Sequence, residues 1–218
     1  MVERITLETE DGVAIVGDHY KGPQGSPAVL LLHMMPATRA SWNAFAGKLN
    51  AAGFGALAID LRGHGESQGG PDGYQDFTDG EHQASIADVR AALAFQEAEG
   101  HSKFFIVGAS IGANLALQML AESERVSAAI LLSPGINYRG VETLPVIAKV
   151  RNEQGVYIVA AKDNVRAGGA AHERAARIFG ALTCRKELKI FDTGGHGTDM
   201  LVAHPEFMDE LADWLKNF

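Results

Sequence analysis

Ser110 lies in the stretch FFIVGASIGANLALQML, Phe104 to Leu120, between Gly108 and Gly112. A serine hydroxyl attacks a carbonyl only when a base takes its proton, and that base needs an acceptor to fix its tautomer and orientation. Serine is also a common helix cap, and a G-x-S-x-G match arises easily in a chain holding 25 glycines. The flanks favour chemistry. Phe104 to Val107 is a run of aromatic and β-branched residues suited to a buried strand. Ile111 to Leu120 carries apolar residues at 111, 115, 117, 119 and 120 with Ala113 and Ala116 between them, as a largely buried helix does. In a strand, sharp turn and helix, glycines on both sides of the serine permit close backbone approach, lift the hydroxyl clear of the sheet and aim the next N–H at the same point.

Eight histidines compete for the role of base. His196 stands in FDTGGHGTDM, directly after the last predicted strand, with glycines at 194, 195 and 197 that let the loop reach over the sheet end. His33 ends a strand, His64 lies in a glycine-rich loop, and His82, His101, His172 and His204 fall in or beside helices, where structural or solvent-facing roles are expected. For the acid, Asp163 in VYIVAAKDNV follows the strand before the last one, although an Asp there also suits a helix cap. Asp192 and Asp199 are nearer to His196 in sequence and remain competitors, but neither ends a separate strand. The order Ser110, Asp163, His196 is nucleophile, acid, base.

The elements that must position these residues are legible as periodicity. Two candidate strands, RITLETE and VAIVGDHY, meet at Asp11-Gly12, a hairpin signal. Strand-like runs at 28–32, 56–59, 104–107, 128–132, 156–161 and 187–191 then alternate with helical patterns at 41–52, 81–99, 111–120, 144–152, 169–182 and 205–216. Such alternation predicts an α/β protein with a mostly parallel sheet, helices on both faces and its active site at the carboxyl ends of the strands. No repeat, low-complexity segment or linker divides residues 1–218, so a single domain is expected.

Composition narrows the partners. A formal charge of −8 argues against nucleic-acid or anionic-membrane surfaces, which call for clustered Lys and Arg. The apolar runs fall far short of a membrane span, and the opening MVERITLETEDG lacks a basic region followed by an apolar one, so a soluble, cytoplasmic protein is expected. Cys184 is the only cysteine, which excludes an internal disulfide and a multi-cysteine metal site.

GASIG and GGHG are joined by IDLRGHGES, Ile59 to Ser67, which looks like the D-x-R-G-x-G-x-S segment after the fourth strand of many lipases and esterases. On these motifs the chain resembles the α/β-hydrolase superfamily over nearly its whole length. The resemblance implies an α/β-hydrolase fold with about eight strands. It also makes the 62–67 segment largely architectural, which keeps His64 out of the catalytic set. Many relatives insert a helical cap after the sixth strand. Here Ser133 to Gln154 has room for one helix, so little or no cap domain and an open site are expected.

The family's His-Gly-x segment after the third strand reads His33-Met34-Met35 here. Carried over by position, the oxyanion hole consists of the N–H groups of Met35 and Ile111, while Met34 replaces a freely adjustable glycine. Met34, Ile136, Tyr138 and Val165 are expected to wall the substrate pocket. The implied activity is that of a carboxylesterase-type serine hydrolase, with a Ser110-His196-Asp163 catalytic triad acting on small or short-acyl esters and no metal or organic cofactor. Thioesterase, amidase, C–C hydrolase and perhydrolase chemistry, or a ligand-binding receptor with slow hydrolysis, rest on the same framework and stay open, as does the oligomeric state. Dienelactone hydrolases are similarly compact but usually carry Cys where this chain has Ser110.

Overall fold

The computed structural model describes residues 2–166 and 169–218. Eight strands form one sheet in the order β1-β2-β4-β3-β5-β6-β9-β12, where β1 is Val2–Glu8, β2 Ala14–Tyr20, β3 Ala28–Leu32, β4 Gly55–Ile59, β5 Phe104–Ala109, β6 Val126–Leu132, β9 Gly155–Ala161 and β12 Arg185–Phe191. Strands β1 and β2 pair antiparallel, as does β2 with β4, and every pairing from β4 to β12 is parallel. Two short hairpins lie outside the sheet: β7 (Asn137–Tyr138) with β8 (Val141–Glu142), and β10 (Val165–Arg166) with β11 (Gly169–Ala170).

Strands β3, β4, β5 and β9 are buried at every position, because helices cover both faces of the sheet. On one face Leu30, Leu32, Ile106 and Leu131 pack with residues of α3 (Ile86–Ala98), α4 (Ile111–Glu122) and α6 (Ala171–Ala181). On the other, Val29, Leu31, Phe105 and Val107 meet α1 (Asn43–Ala51) and α8 (Phe207–Lys216). The strand period of two thus sorts neighbouring residues into separate cores.

Two helices differ from the sequence expectation. The pattern over 81–99 is α2 (Asp79–Ala84) followed by α3: Thr78 and Glu81 form a capping box that starts the helix early, and the Ser85 N–H turns to His82 O at 3.2 Å, breaking the regular ladder. The helix expected over 144–152 is one turn, α5 (Leu144–Ile147). Gln154 explains the stop: its Oε1 accepts from the Arg151 N–H, and its Nε2 donates to Leu120 O and Val126 O, each at 2.8 Å, which ties the chain to the sheet. Between β6 and β9 there is only the β7–β8 hairpin and α5, so no cap domain covers the carboxyl edge. Among the described residues no helix is long and apolar enough to cross a membrane.

Candidate active site

Four successive strand ends and one loop converge at the carboxyl edge. Ser110 joins β5 to α4 with φ 54° and ψ −117°, a conformation a residue bearing a side chain rarely holds. Its N–H donates to Leu132 O at 2.8 Å, and its carbonyl accepts from Ala113 N–H at 2.9 Å, so backbone bonds on both sides hold the strain. The flanking glycines have contacts that exclude a side chain. A Cβ on Gly108 would lie 2.1 Å from Gly112 O, and one on Gly112 would lie 2.4 Å from Leu32 O. Ser110 makes no side-chain cap bond to α4, so its hydroxyl is not used as an ordinary helix cap.

The Ile111 N–H opens the first turn of α4, where the aligned peptide dipoles favour negative charge. The second candidate donor is shaped by His33, which is fully buried. His33 Nε2 accepts from the Leu61 N–H at 3.0 Å, so Nδ1 carries the proton and donates to Met34 O at 3.0 Å. In a trans peptide the carbonyl and the following N–H point in opposite directions. The Met34 carbonyl is turned toward His33, which turns the Met35 N–H away from it. Met34 therefore replaces the family's glycine without losing control of the loop, because an imidazole holds its peptide plane.

The segment beneath explains what IDLRGHGES does. Asp60, fully buried, accepts from the N–H groups of Arg39 at 2.8 Å and Glu66 at 2.9 Å and pairs with the Arg39 guanidinium. The Arg62 N–H reaches Asp88 Oδ2 at 2.8 Å, and its guanidinium bridges Asp88 and Asp11. Leu61, between these anchors, supplies the N–H that fixes the His33 tautomer. The segment is structural, as expected, and its influence on the site runs through His33.

Burial, and secondarily the neighbouring His64, lowers the His33 pKa to about 4. A histidine kept neutral in the folded chain and protonated in the unfolded one contributes stability that is complete above its unfolded value of 6.5 and is lost as pH falls toward about 4. His33→Asn is expected to be less stable near pH 7, yet to lose less between about pH 7 and about pH 4.5 than the wild type, by about 2 kcal/mol. Urea unfolding at the two pH values measures both slopes, and parallel slopes refute the assignment.

His196 is buried in the loop after β12. Its neighbour Gly197 is pressed against the elbow and the His33–Met35 loop: a Cβ there would lie 2.5 Å from Met34 Sδ and 3.2 Å from Ala109 Cβ. Gly197 thus brings the His196 loop against the residue that precedes Ser110. The Tyr138 ring stands edge-on to the imidazole with centroids 6.5 Å apart.

The side chain at the imidazole differs from the expectation. Asp163 is exposed, and its carboxylate accepts from the Gly194 N–H at 3.0 Å and the Gly195 N–H at 3.1 Å. Its neighbour Asn164, 5% exposed, places its side-chain amide 2.8 Å from His196 Nδ1 and 3.3 Å from Ser133 Oγ. Ser133 directly follows β6 with a positive φ of 52°, and its Oγ accepts from the Gly197 N–H at 3.0 Å. The turn after β9 carries Asn164 under the loop, where His196 Nδ1 and Ser133 Oγ satisfy its amide, and leaves Asp163 at the surface, where its carboxylate braces the glycine turn. Asn164 and Ser133 are the residues that sequence reasoning missed. The signal was available, since Asn164 follows Asp163 directly and an amide can hold a histidine as a carboxylate does. Of the competing acids, Asp192 pairs with Lys162 at 2.7 Å, and Asp199 opens α7 (Asp199–Ala203) beside the loop, its N–H donating to His196 O at 3.1 Å.

Ile136 and Tyr138 line a cavity of about 500 Å³ with Gly135, Asn137, Glu173, Arg174 and Arg177. Asn114 and Thr143 pin this wall: Asn114 Nδ2 donates to Val141 O at 2.7 Å, its Oδ1 accepts from Gly135 N–H at 3.0 Å, and Thr143 Oγ1 donates to Gly135 O at 2.9 Å. Met34 packs at the elbow itself, and Met35 lines a second hollow with Pro36, Tyr74, Gln75, His82 and Arg139. Val165 is 69% exposed on β10 and is absent from the described lining of either hollow, so the hairpin turns it away from the wall expected of it. Among the described residues no group of three or more His, Cys, Asp or Glu side chains could hold a metal ion.

A family profile described as alpha/beta hydrolase fold matches residues 27–217. No curated protein matches the chain. Among solved structures, the esterase Pf2001 of Pyrococcus furiosus is similar at 18% identity and a TM-score of 0.83, over 100% of this chain and 91% of that one. The alpha/beta hydrolase GrgF from Penicillium sp. sh18 is similar at 18% identity and 0.82, over 100% of this chain and 98% of that one. The esterase EaEST from Exiguobacterium antarcticum is similar at 17% identity and 0.72, over 97% and 98%. At these identities the likeness is one of fold, and it agrees with the mostly parallel sheet flanked by helices. With the profile spanning nearly the whole chain, this protein belongs to the alpha/beta hydrolase fold family.

Proposed function

We propose that this protein is a carboxylesterase-type serine hydrolase acting on small or short-acyl esters. The observation that carries the reading is Ser110, held at φ 54° between two glycines and supported by backbone bonds on both sides, at the head of α4. His196 takes the hydroxyl proton as Ser110 Oγ bonds to the ester carbonyl carbon. The N–H groups of Met35 and Ile111 hold the resulting oxyanion. Collapse of the tetrahedral intermediate breaks the bond to the alcohol oxygen, which receives the proton from His196. Water then repeats the sequence on the acyl-enzyme and frees the acid. Asp163 serves this chemistry by holding the Gly194–Gly195 turn that carries the base.

The short-acyl preference is supported by the uncapped carboxyl edge and the polar residues of the wall, including Glu173, Arg174 and Arg177, which offer a long alkyl chain little apolar burial. Two of the similar structures are named as esterases. Hydrolysis of p-nitrophenyl acetate, butyrate and octanoate tests the reading: kcat/KM is expected to fall by about tenfold or more from butyrate to octanoate, opposite to the gain of a lipid-binding groove. No turnover of any ester, together with no labelling of Ser110 by a fluorophosphonate, overturns it.

A further inference from the structure

We propose that Asn164 is the residue that orients the His196 imidazole, with its amide oxygen facing Nδ1–H and with Ser133 as its support. The proposal rests on the hydrolase reading above for its consequence, but its structural content can be tested without any substrate. Three contacts define the arrangement: Asn164 amide to His196 Nδ1 at 2.8 Å, Asn164 amide to Ser133 Oγ at 3.3 Å, and Gly197 N–H to Ser133 Oγ at 3.0 Å. All three side chains are buried, so each polar atom must find its partner within the chain.

An asparagine amide presents either NH₂ or oxygen to a given neighbour, by a half-turn about its last side-chain bond. The structure has the NH₂ nitrogen at the imidazole. With NH₂ donating, Nδ1 is bare and a neutral imidazole keeps its proton on Nε2. That tautomer has no lone pair left on Nε2 to take the proton of Ser110. With the oxygen toward the ring, Nδ1 carries the proton and Nε2 is the base. The same half-turn lets the Ser133 hydroxyl donate to the Asn164 oxygen while its own oxygen keeps the Gly197 N–H. The catalytic arrangement is therefore Gly197 N–H to Ser133 Oγ, Ser133 O–H to Asn164 Oδ1, and His196 Nδ1–H to the same Oδ1. The positive φ of Ser133 is the backbone conformation in which its hydroxyl is held between the two loops.

Asn164 is then a positioning residue rather than a charged partner: it fixes tautomer and ring orientation, and brings no negative charge to the imidazolium that forms during acyl transfer. In a serine protease, a triad variant that leaves geometry intact but sets the wrong tautomer loses about 10⁴-fold in kcat.

Long-range ¹H–¹⁵N correlation spectra of the imidazoles, with His196 assigned by difference from His196→Gln, give the tautomer directly. The wild type is expected as Nδ1–H, Asn164→Ala as a mixture or as Nε2–H, and Asn164→Asp and Asp163→Asn again as Nδ1–H. In ester hydrolysis Asn164→Ala is expected to lose about 10² to 10⁴-fold in kcat with KM changed little, and Asn164→Asp to recover most of it. A purely structural role would not give rescue by the acid together with a restored tautomer. A wild-type spectrum showing Nε2–H overturns the proposal even if every variant misfolds. So does loss of the Nδ1–H form in Asp163→Asn with its retention in Asn164→Ala. Absence of ester turnover in the wild type defeats the hydrolase reading alone and leaves the tautomer result to stand or fall by itself.

Discussion

Ser110→Ala is expected to lower kcat for p-nitrophenyl butyrate by about 10⁴ to 10⁶-fold, to the residual rate that binding and oxyanion stabilisation sustain without a nucleophile. The loss should fall on kcat with KM nearly constant, and the pre-steady-state burst of nitrophenol should vanish with it. Stability discriminates further. Alanine at φ 54° inherits the strain of serine, so the melting temperature of Ser110→Ala should stay close to that of the wild type. Ser110→Gly has no Cβ to strain and is expected to gain about 1–2 kcal/mol while being equally inactive. A variant stabilised by losing its reactive side chain is the mark of strain held for function. An active Ser110→Ala removes the nucleophile from the mechanism, and a Ser110→Gly less stable than Ser110→Ala removes the strain argument.

Gly112→Ala is expected to damage fold and site together. The added methyl would sit 2.4 Å from Leu32 O and 2.7 Å from His33 O. Both are backbone atoms at the end of β3, so relief requires moving either the strand or α4. The expected loss is about 3 kcal/mol or more by urea unfolding, at the upper end of what overpacking costs. Activity should fall beyond that, since the same displacement moves the Ile111 N–H and the Met35 loop relative to one another. Gly180→Ala, in α6 with nothing within 4 Å of the new carbon, is the control and should gain up to about 1 kcal/mol. If both alanines behave alike, crowding at the elbow is not what Gly112 relieves.

The chain disclosed its elbow and its sheet because both rest on local patterns. FFIVGASIG combines a strand-like run with glycines that a bare helix cap does not need, and β5 and α4 fall on either side of Ser110. Thr78 and Glu81 form a capping box whose first residue lies three positions ahead of the helix start that apolar periodicity alone predicts. The β7–β8 hairpin was harder to see. Its two loop residues, Arg139 and Gly140, both have positive φ, and an arginine is a poor advertisement for the turn that requires it. The Asp163–Asn164 pair marks the deeper limit. Periodicity places both residues just past the end of β9, and which of them turns under the loop depends on burial and on Ser133, 31 residues earlier in the turn after β6. Val165 failed for the same reason, since one more residue of hairpin sends its side chain outward.

The sheet supports Ser110 and His196 unequally. Ser110 follows β5, which is paired on both sides and buried at every position. His196 follows β12, the terminal strand, which has one neighbour and shows charged residues along RKELK. Those charges guard an open sheet edge against pairing with another chain. With a single neighbour, the strand that leads to His196 opens at lower free energy than the centre of the sheet. Heat is therefore expected to loosen the loop that carries His196 before the elbow at Ser110, and ester turnover measured against temperature should fall below the melting transition followed by circular dichroism.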